Sequence, residues 1–150
     1  MKKGFTLLEL IIVIVIIGVL ATLGFAQYGR MVEGSRGAEA RDVIGAMRKM
    51  ALAFYTRWER DLTPPAPAVA ITPADVGIGP TGIPAVCSPT HYFRYSISGV
   101  GDSTIIFHAD RCDNAGKVPP PPGGVVIPDA VVLDCNFATG QDNWQFIAPY

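Results

Sequence analysis

Residues 10–26, LIIVIVIIGVLATLGFA, carry no charged side chain. As a helix rising 1.5 Å per residue this run is about 25 Å long, or about 33 Å counted from Phe5. The hydrocarbon core of a bilayer is about 30 Å thick. Lys2 and Lys3 precede the run, and positive charge keeps the flanking end cytoplasmic. The remainder of the chain is therefore expected across the membrane. One residue sits oddly: Glu9 stands at the mouth of the apolar run. A carboxylate at the centre of a bilayer costs at least about 2.5–3.5 kcal/mol on insertion scales.

Three kinds of chain begin in this way. A cleaved secretory signal needs small residues at two positions, which Gly24-Phe25-Ala26 supplies, but its charged front is usually longer and Glu9 interrupts the approach. An uncleaved single-span anchor, for instance of a monomeric binding domain, leaves Glu9 at headgroup depth with nothing to do. The third kind is carried by KGFTLLELIIVIVIIGVLA, with Gly4, Phe5, Thr6, Leu7 and Glu9 at fixed spacing before an apolar helix containing Gly18. This stretch resembles the N-termini of type IV prepilins and type II secretion pseudopilins.

The resemblance covers about the first 30 residues and implies a specific processing route. Residues 1–4 are a leader, cut between Gly4 and Phe5 by prepilin peptidase, a membrane-embedded aspartyl enzyme. Phe5 is then N-methylated. Thr6 and Glu9 become the second and fifth mature residues, and Glu9 meets the amine of a neighbouring subunit during assembly. Such a pairing offsets the burial of both charges and sets register between subunits. The family commonly has a proline near the end of the apolar run. Here the sequence is LGFAQYG, and Gly24 and Gly29 weaken the helix by about 1 kcal/mol each relative to Ala.

Beyond the membrane, Ala40, Val43, Ile44, Met47, Met50, Ala51, Phe54 and Trp58 recur at steps of three and four, one apolar stripe on a helix. Thr63-Pro64-Pro65 ends that pattern, so one helix is expected from about Thr6 to Leu62. Gly34-Ser35-Arg36-Gly37 is its weakest point outside the membrane. A stripe this apolar must be covered, and the rest of the chain is the available cover.

Residues 63–90, dense in Pro, Gly and Ala, read as a connecting loop. YFRYSIS (92–98) alternates as a strand, Gly99 to Asp102 turns, and STIIFHA (103–109) returns. VVIPDAVVL (125–133) reads as an edge strand broken by Pro128, and WQFI (144–147) as a short last strand. The fold class is α+β: a long N-terminal helix, half membrane-spanning and half amphipathic, packed on an antiparallel sheet of three or four strands. The expected divisions are leader 1–4, membrane and filament-core helix 5–28, amphipathic half 29–62, and a β-rich part 63–150.

Three cysteines are present. Many members of the resembled family staple a C-terminal loop, which favours Cys112 with Cys135; the residues themselves leave Cys87 with Cys112 open. No CxxC spacing suggests zinc. DRCDNAG (110–116) lacks EF-hand spacing and reads as a solvated turn, although the resemblance admits calcium in such a loop; no other cofactor is expected. His91 and His108 lie apart from any Ser or Cys motif, and no catalytic constellation is legible. The net charge of −1 gives no reason to expect nucleic acid.

The resemblance implies a structural role rather than an enzyme: a subunit of a type IV pilus or related filament, with a type II secretion pseudopilin or minor pilin as the alternative. Its implied partners are further copies of itself, prepilin peptidase, the inner-membrane assembly machinery and, before assembly, lipid. Its implied locations are the inner membrane, as a single-pass precursor with a cytoplasmic N-terminus, and then an extracellular or periplasmic filament.

Overall fold

The computed structural model describes residues 6–65, 69–113, 116–117, 127–147 and 150. One long helix, α1 (Leu7–Arg57), is followed by a 3-10 turn (Pro73–Val76) and four strands: β1 (Phe93–Ser98), β2 (Thr104–Arg111), β3 (Ile127–Asn136) and β4 (Gln141–Phe146). The strands form one antiparallel sheet in the order β1-β2-β3-β4. The sheet packs on the second half of α1, which is the α+β arrangement expected from the sequence.

No proline falls between Leu7 and Arg57, so nothing removes an N–H from the helical ladder, and α1 runs unbroken for 51 residues despite its glycines. It stops before the expected Leu62. Trp58 caps it, its N–H donating to the Phe54 carbonyl at 3.1 Å, and Glu59 and Arg60 turn into the left-handed region at φ 55° and 72°. This turn delivers Leu62 into the core, where it is fully buried and its N–H donates to the Asp102 carbonyl at 2.8 Å. Burial of Leu62 thus ends the helix before the prolines at 64 and 65 come into play.

The buried face of α1 is Ala40, Ile44, Met47, Ala51 and Tyr55, at helical steps of four and three. Val43 and Phe54 pack partly against it, whereas Trp58 remains 37% exposed. The sheet meets this stripe with alternate side chains: Phe93 and Tyr95 from β1, Ile105 and Phe107 from β2, Val131 and Leu133 from β3. Period-two alternation puts these on one face, so the register fixes which side of each strand is apolar.

Three expectations need correction. Residues 63–90 are more than a connector: Ile71, Val76 and Ile78 are buried in the same core, and the 3-10 turn packs on α1. Gly77 makes this possible, because its φ is 82° and a Cβ there would lie 3.0 Å from the Met50 methyl carbon. Next, β3 is an interior strand rather than an edge. Pro128 precedes the residues bonded to β4, which are Val131 to Asn136, and lies at the register irregularity opposite Ala109 to Arg111. A missing N–H is tolerated at such a bulge.

The third correction is the disulfide. It joins Cys87 to Cys112, with 5.6 Å between Cα atoms, and Cys135 is a free, buried thiol. Cys135 pairs across the ladder with Ile105. Cys112 lies seven residues further along that direction, about 23 Å away at about 3.3 Å per residue, far beyond the roughly 7 Å reach of a disulfide. Burial first, and then the neighbouring Asp142 carboxylate, push the Cys135 thiol up to about 12, with Arg48 opposing. A thiol so held is unreactive.

Three outcomes follow from this core. Ile44→Ala should destabilise the full chain in detergent by about 2–5 kcal/mol, read by chemical denaturation. Peptide mapping after native alkylation should recover Cys87 bonded to Cys112 and Cys135 unalkylated. Removing the bridge, which closes a loop of 25 residues, should cost about 3–4 kcal/mol in the chain-entropy description.

Candidate functional site

The apolar half of α1 leaves the rest of the chain behind. From Leu7 to Phe25 every large apolar side chain is at least 45% exposed. A continuous surface of this kind is far larger than a monomer leaves in water, and marks contact with a membrane or another chain. Its length and composition are those of a membrane-crossing helix.

At its tip Thr6 and Glu9 form a reciprocal capping box. The Thr6 backbone N–H donates to Glu9 Oε2 at 2.9 Å, the Thr6 hydroxyl donates to the same oxygen at 2.7 Å, and the Glu9 N–H donates to Thr6 Oγ1 at 3.3 Å. A Thr followed three residues later by Glu satisfies two otherwise orphaned N–H groups. The carboxylate also complements the positive end of the helix dipole. Part of what Glu9 needs is therefore met inside its own chain, by Thr6. Gly4 and Phe5, the expected cleavage and methylation positions, lie outside the described residues.

A second polar cluster lies where α1 enters the sheet. Glu33 is 4% exposed and Arg111, at the end of β2, is fully buried. Arg111 Nε donates to Glu33 Oε1 at 2.6 Å, the Tyr150 hydroxyl donates to the same oxygen at 2.8 Å, and Arg36 pairs with Glu33 Oε2. Arg111 Nη1 also donates to the carbonyls of Tyr92 and Cys112. Tyr150 closes over Gly37, where a Cβ would sit 3.0 Å from its ring, and meets Phe93 edge-on at 5.7 Å. The segment weakest in helix propensity is thereby held by tertiary contacts. Sequence reasoning missed Glu33 and Arg111. The only signal was a charge beside the weakest point of the helix and another in the segment 110–116, read as a solvated turn.

Burial pushes the Glu33 carboxyl up, but hydrogen bonds from Arg111 and Tyr150 and the charges of Arg111 and Arg36 outweigh it, leaving its pKa below the ordinary 4.5. Burial first, and then donation to Glu33, raise the Tyr150 hydroxyl, which stays protonated as the cluster requires.

The remaining sequence candidates are dispersed. Asp110 is engaged by Arg94 Nε at 2.9 Å and by the Asp129 N–H at 2.8 Å. Asn114 of the proposed turn lies outside the described residues. Among the described residues no group of three or more His, Cys, Asp or Glu side chains is placed to hold a metal. His91 precedes β1, whereas His108 sits on the outer face of β2, where pairing brings Ser98 and Asp129 to it.

Residues 1–25 match the family described as the prokaryotic N-terminal methylation motif. The chain carries that motif. It is also 40% identical over 55 residues to the fimbrial protein EcpC of Eikenella corrodens, a match covering 37% of this chain and 36% of that protein. The match thus spans about a third of this curated relative. No solved structure is significantly similar. Both findings are consistent with the type IV pilin family, and the methylation motif falls on the exposed apolar tip of α1 rather than on the sheet.

The Glu33 cluster generates a prediction with a definite sign. Because the folded-state pKa is depressed, its stabilisation is present above about pH 4.5 and is lost as pH falls through the folded pKa. Acid titration of unfolding should show this limb in the parent chain and a flatter one in Glu33→Gln. Arg111→Ala, which strips a buried carboxylate of its main partner, should cost about 3–5 kcal/mol at neutral pH.

Proposed function

We propose that this chain is a structural subunit of a type IV pilus or related filament. It is inserted in the inner membrane as a single-pass precursor with a cytoplasmic N-terminus, cut after Gly4 by prepilin peptidase, methylated at Phe5 and polymerised through α1. The observation that carries this reading is the uncovered apolar half of one continuous helix, whose other half bears the folded head. Lipid covers that surface before assembly, and the same segment of further copies covers it afterwards. The methylation motif and the fimbrial relative support the reading.

Glu9 gives the assembly step its electrostatics. Cleavage exposes a cationic amine on Phe5, one residue from the Thr6 nitrogen that Glu9 caps. In a low-dielectric filament core an amine and a carboxylate on neighbouring copies attract strongly when aligned. A subunit out of register leaves both unmatched, which costs several kcal/mol per ion.

Three measurements test this. Mass spectrometry of the mature protein should find N-methylated Phe5 at the N-terminus; a chain still starting at Met1 would mark an unprocessed anchor, and one starting at Gln27 a secreted protein. Sheared surface fractions viewed by electron microscopy should separate a pilus from a periplasmic pseudopilus. Glu9→Ala removes cap and charge together, whereas Glu9→Gln keeps an acceptor for Thr6 and removes only the charge. Both variants should insert in the membrane, and both should make few filaments. Normal filaments from Glu9→Gln would leave capping as the whole role of the residue.

A further inference from the structure

Ser98, His108 and Asp129 come from three strands and meet on the outer face of the sheet, turned away from α1. In the register Ser96, not Ser98, stands opposite His108. The contact runs diagonally: Ser98 Oγ lies 2.6 Å from His108 Nε2, and His108 Nδ1 lies 2.6 Å from Asp129 Oδ1. A carboxylate only accepts, so Nδ1 carries the imidazole proton, and Nε2 of the neutral ring is left to accept from the Ser98 hydroxyl. Asp129 is oriented in turn. Its backbone is in the left-handed region at φ 51°, unusual for a residue with a side chain, and its N–H donates to Asp110 Oδ1 while Arg94 holds Asp110 Oδ2. Such local strain concentrates where surrounding structure over-determines a functional arrangement.

We infer that Ser98 is an activated nucleophile for acyl transfer, with His108 as its general base and Asp129 as the positioning residue. The line of hydroxyl, imidazole and carboxylate is the arrangement by which a serine of ordinary acidity is made reactive. The acyl donor is a neutral ester with an apolar acyl chain. Ile106, Val132 and Phe146 line, together with His108 and Asp129, a shallow depression on the side of the imidazole away from Ser98's own strand, and Asp134 on the same surface disfavours an anionic donor. In the step, Ser98 Oγ bonds to the acyl carbon and passes its proton to His108 Nε2. The bond from that carbon to the leaving oxygen breaks, and the imidazolium returns the proton to the departing alcohol. The products are acylated Ser98 and free alcohol.

Positioned general-base catalysis is worth about 10²–10⁴-fold, and Ser96, exposed on the same strand and face, is the internal reference. The test treats the full chain in detergent with p-nitrophenyl butyrate, following nitrophenolate release and mapping the adduct by mass spectrometry. Butyrylation at Ser98 should exceed that at Ser96 by about 10²-fold or more. It should vanish in Ser98→Ala, fall to the Ser96 level in His108→Gln and fall in Asp129→Asn, with circular dichroism unchanged. Ser98 acylated no faster than Ser96, or as fast in His108→Gln as in the parent, would overturn the proposal and leave a purely structural cross-strand network. If a variant loses its fold, the comparison of Ser98 with Ser96 in the parent chain decides alone.

Discussion

Helix α1 is longer than the described remainder of its chain can cover. Its 51 residues span about 77 Å, whereas four strands spaced about 4.8 Å apart give a sheet only about 15 Å across between outer strand axes. Even with strands of six to ten residues, the sheet and the loop carrying Ile71, Val76 and Ile78 reach only the second half of the helix. That half acquires a core and becomes a folded domain. The first half is left with apolar side chains on every side, and its solvent must be lipid or protein. The division of the molecule into a buried head and an uncovered tail is a consequence of this mismatch in length.

The junction between the two halves is where a continuous helix could most easily fail, since Gly34 and Gly37 lie there. It is held by polar and steric fit together. Glu33 is engaged by Arg111, Arg36 and Tyr150, and the absence of a side chain at Gly37 lets Tyr150 approach. Gly37 thus weakens the isolated helix and permits the contact that secures it.

Much of the fold was legible because its signals are local. The apolar run, the three-and-four stripe from Ala40 onwards and the alternation in 93–98 each specify an element and a face without knowledge of the partner. What failed depends on register or on distant contacts. A four-residue turn at 99–102 would pair Ser98 with Ser103, but the ladder pairs it with Ile106. An odd shift swaps faces, so the meeting of Ser98 with His108 was invisible. The disulfide failed for the same reason: loop length admits either partner for Cys112, and only the ladder shows that Cys135 lies far along β3. Pro128 suggested an edge, yet a bulge accommodates it inside the sheet.

The sequence by itself determined that the chain has an apolar helical tip with an acid at its mouth, continuous with an amphipathic helix that needs a covering sheet. It also contained the methylation motif, because that signal is a short pattern recognised in linear order. Tertiary structure alone decided that Glu33 and Arg111 form the buried joint, that Cys87 rather than Cys135 takes Cys112, and that three strands bring a serine, a histidine and an aspartate into line. Helical periodicity and hydropathy act over a few residues and can be read along the chain. Ladder register and burial couple residues far apart in sequence, and they take definite values only when the whole core closes.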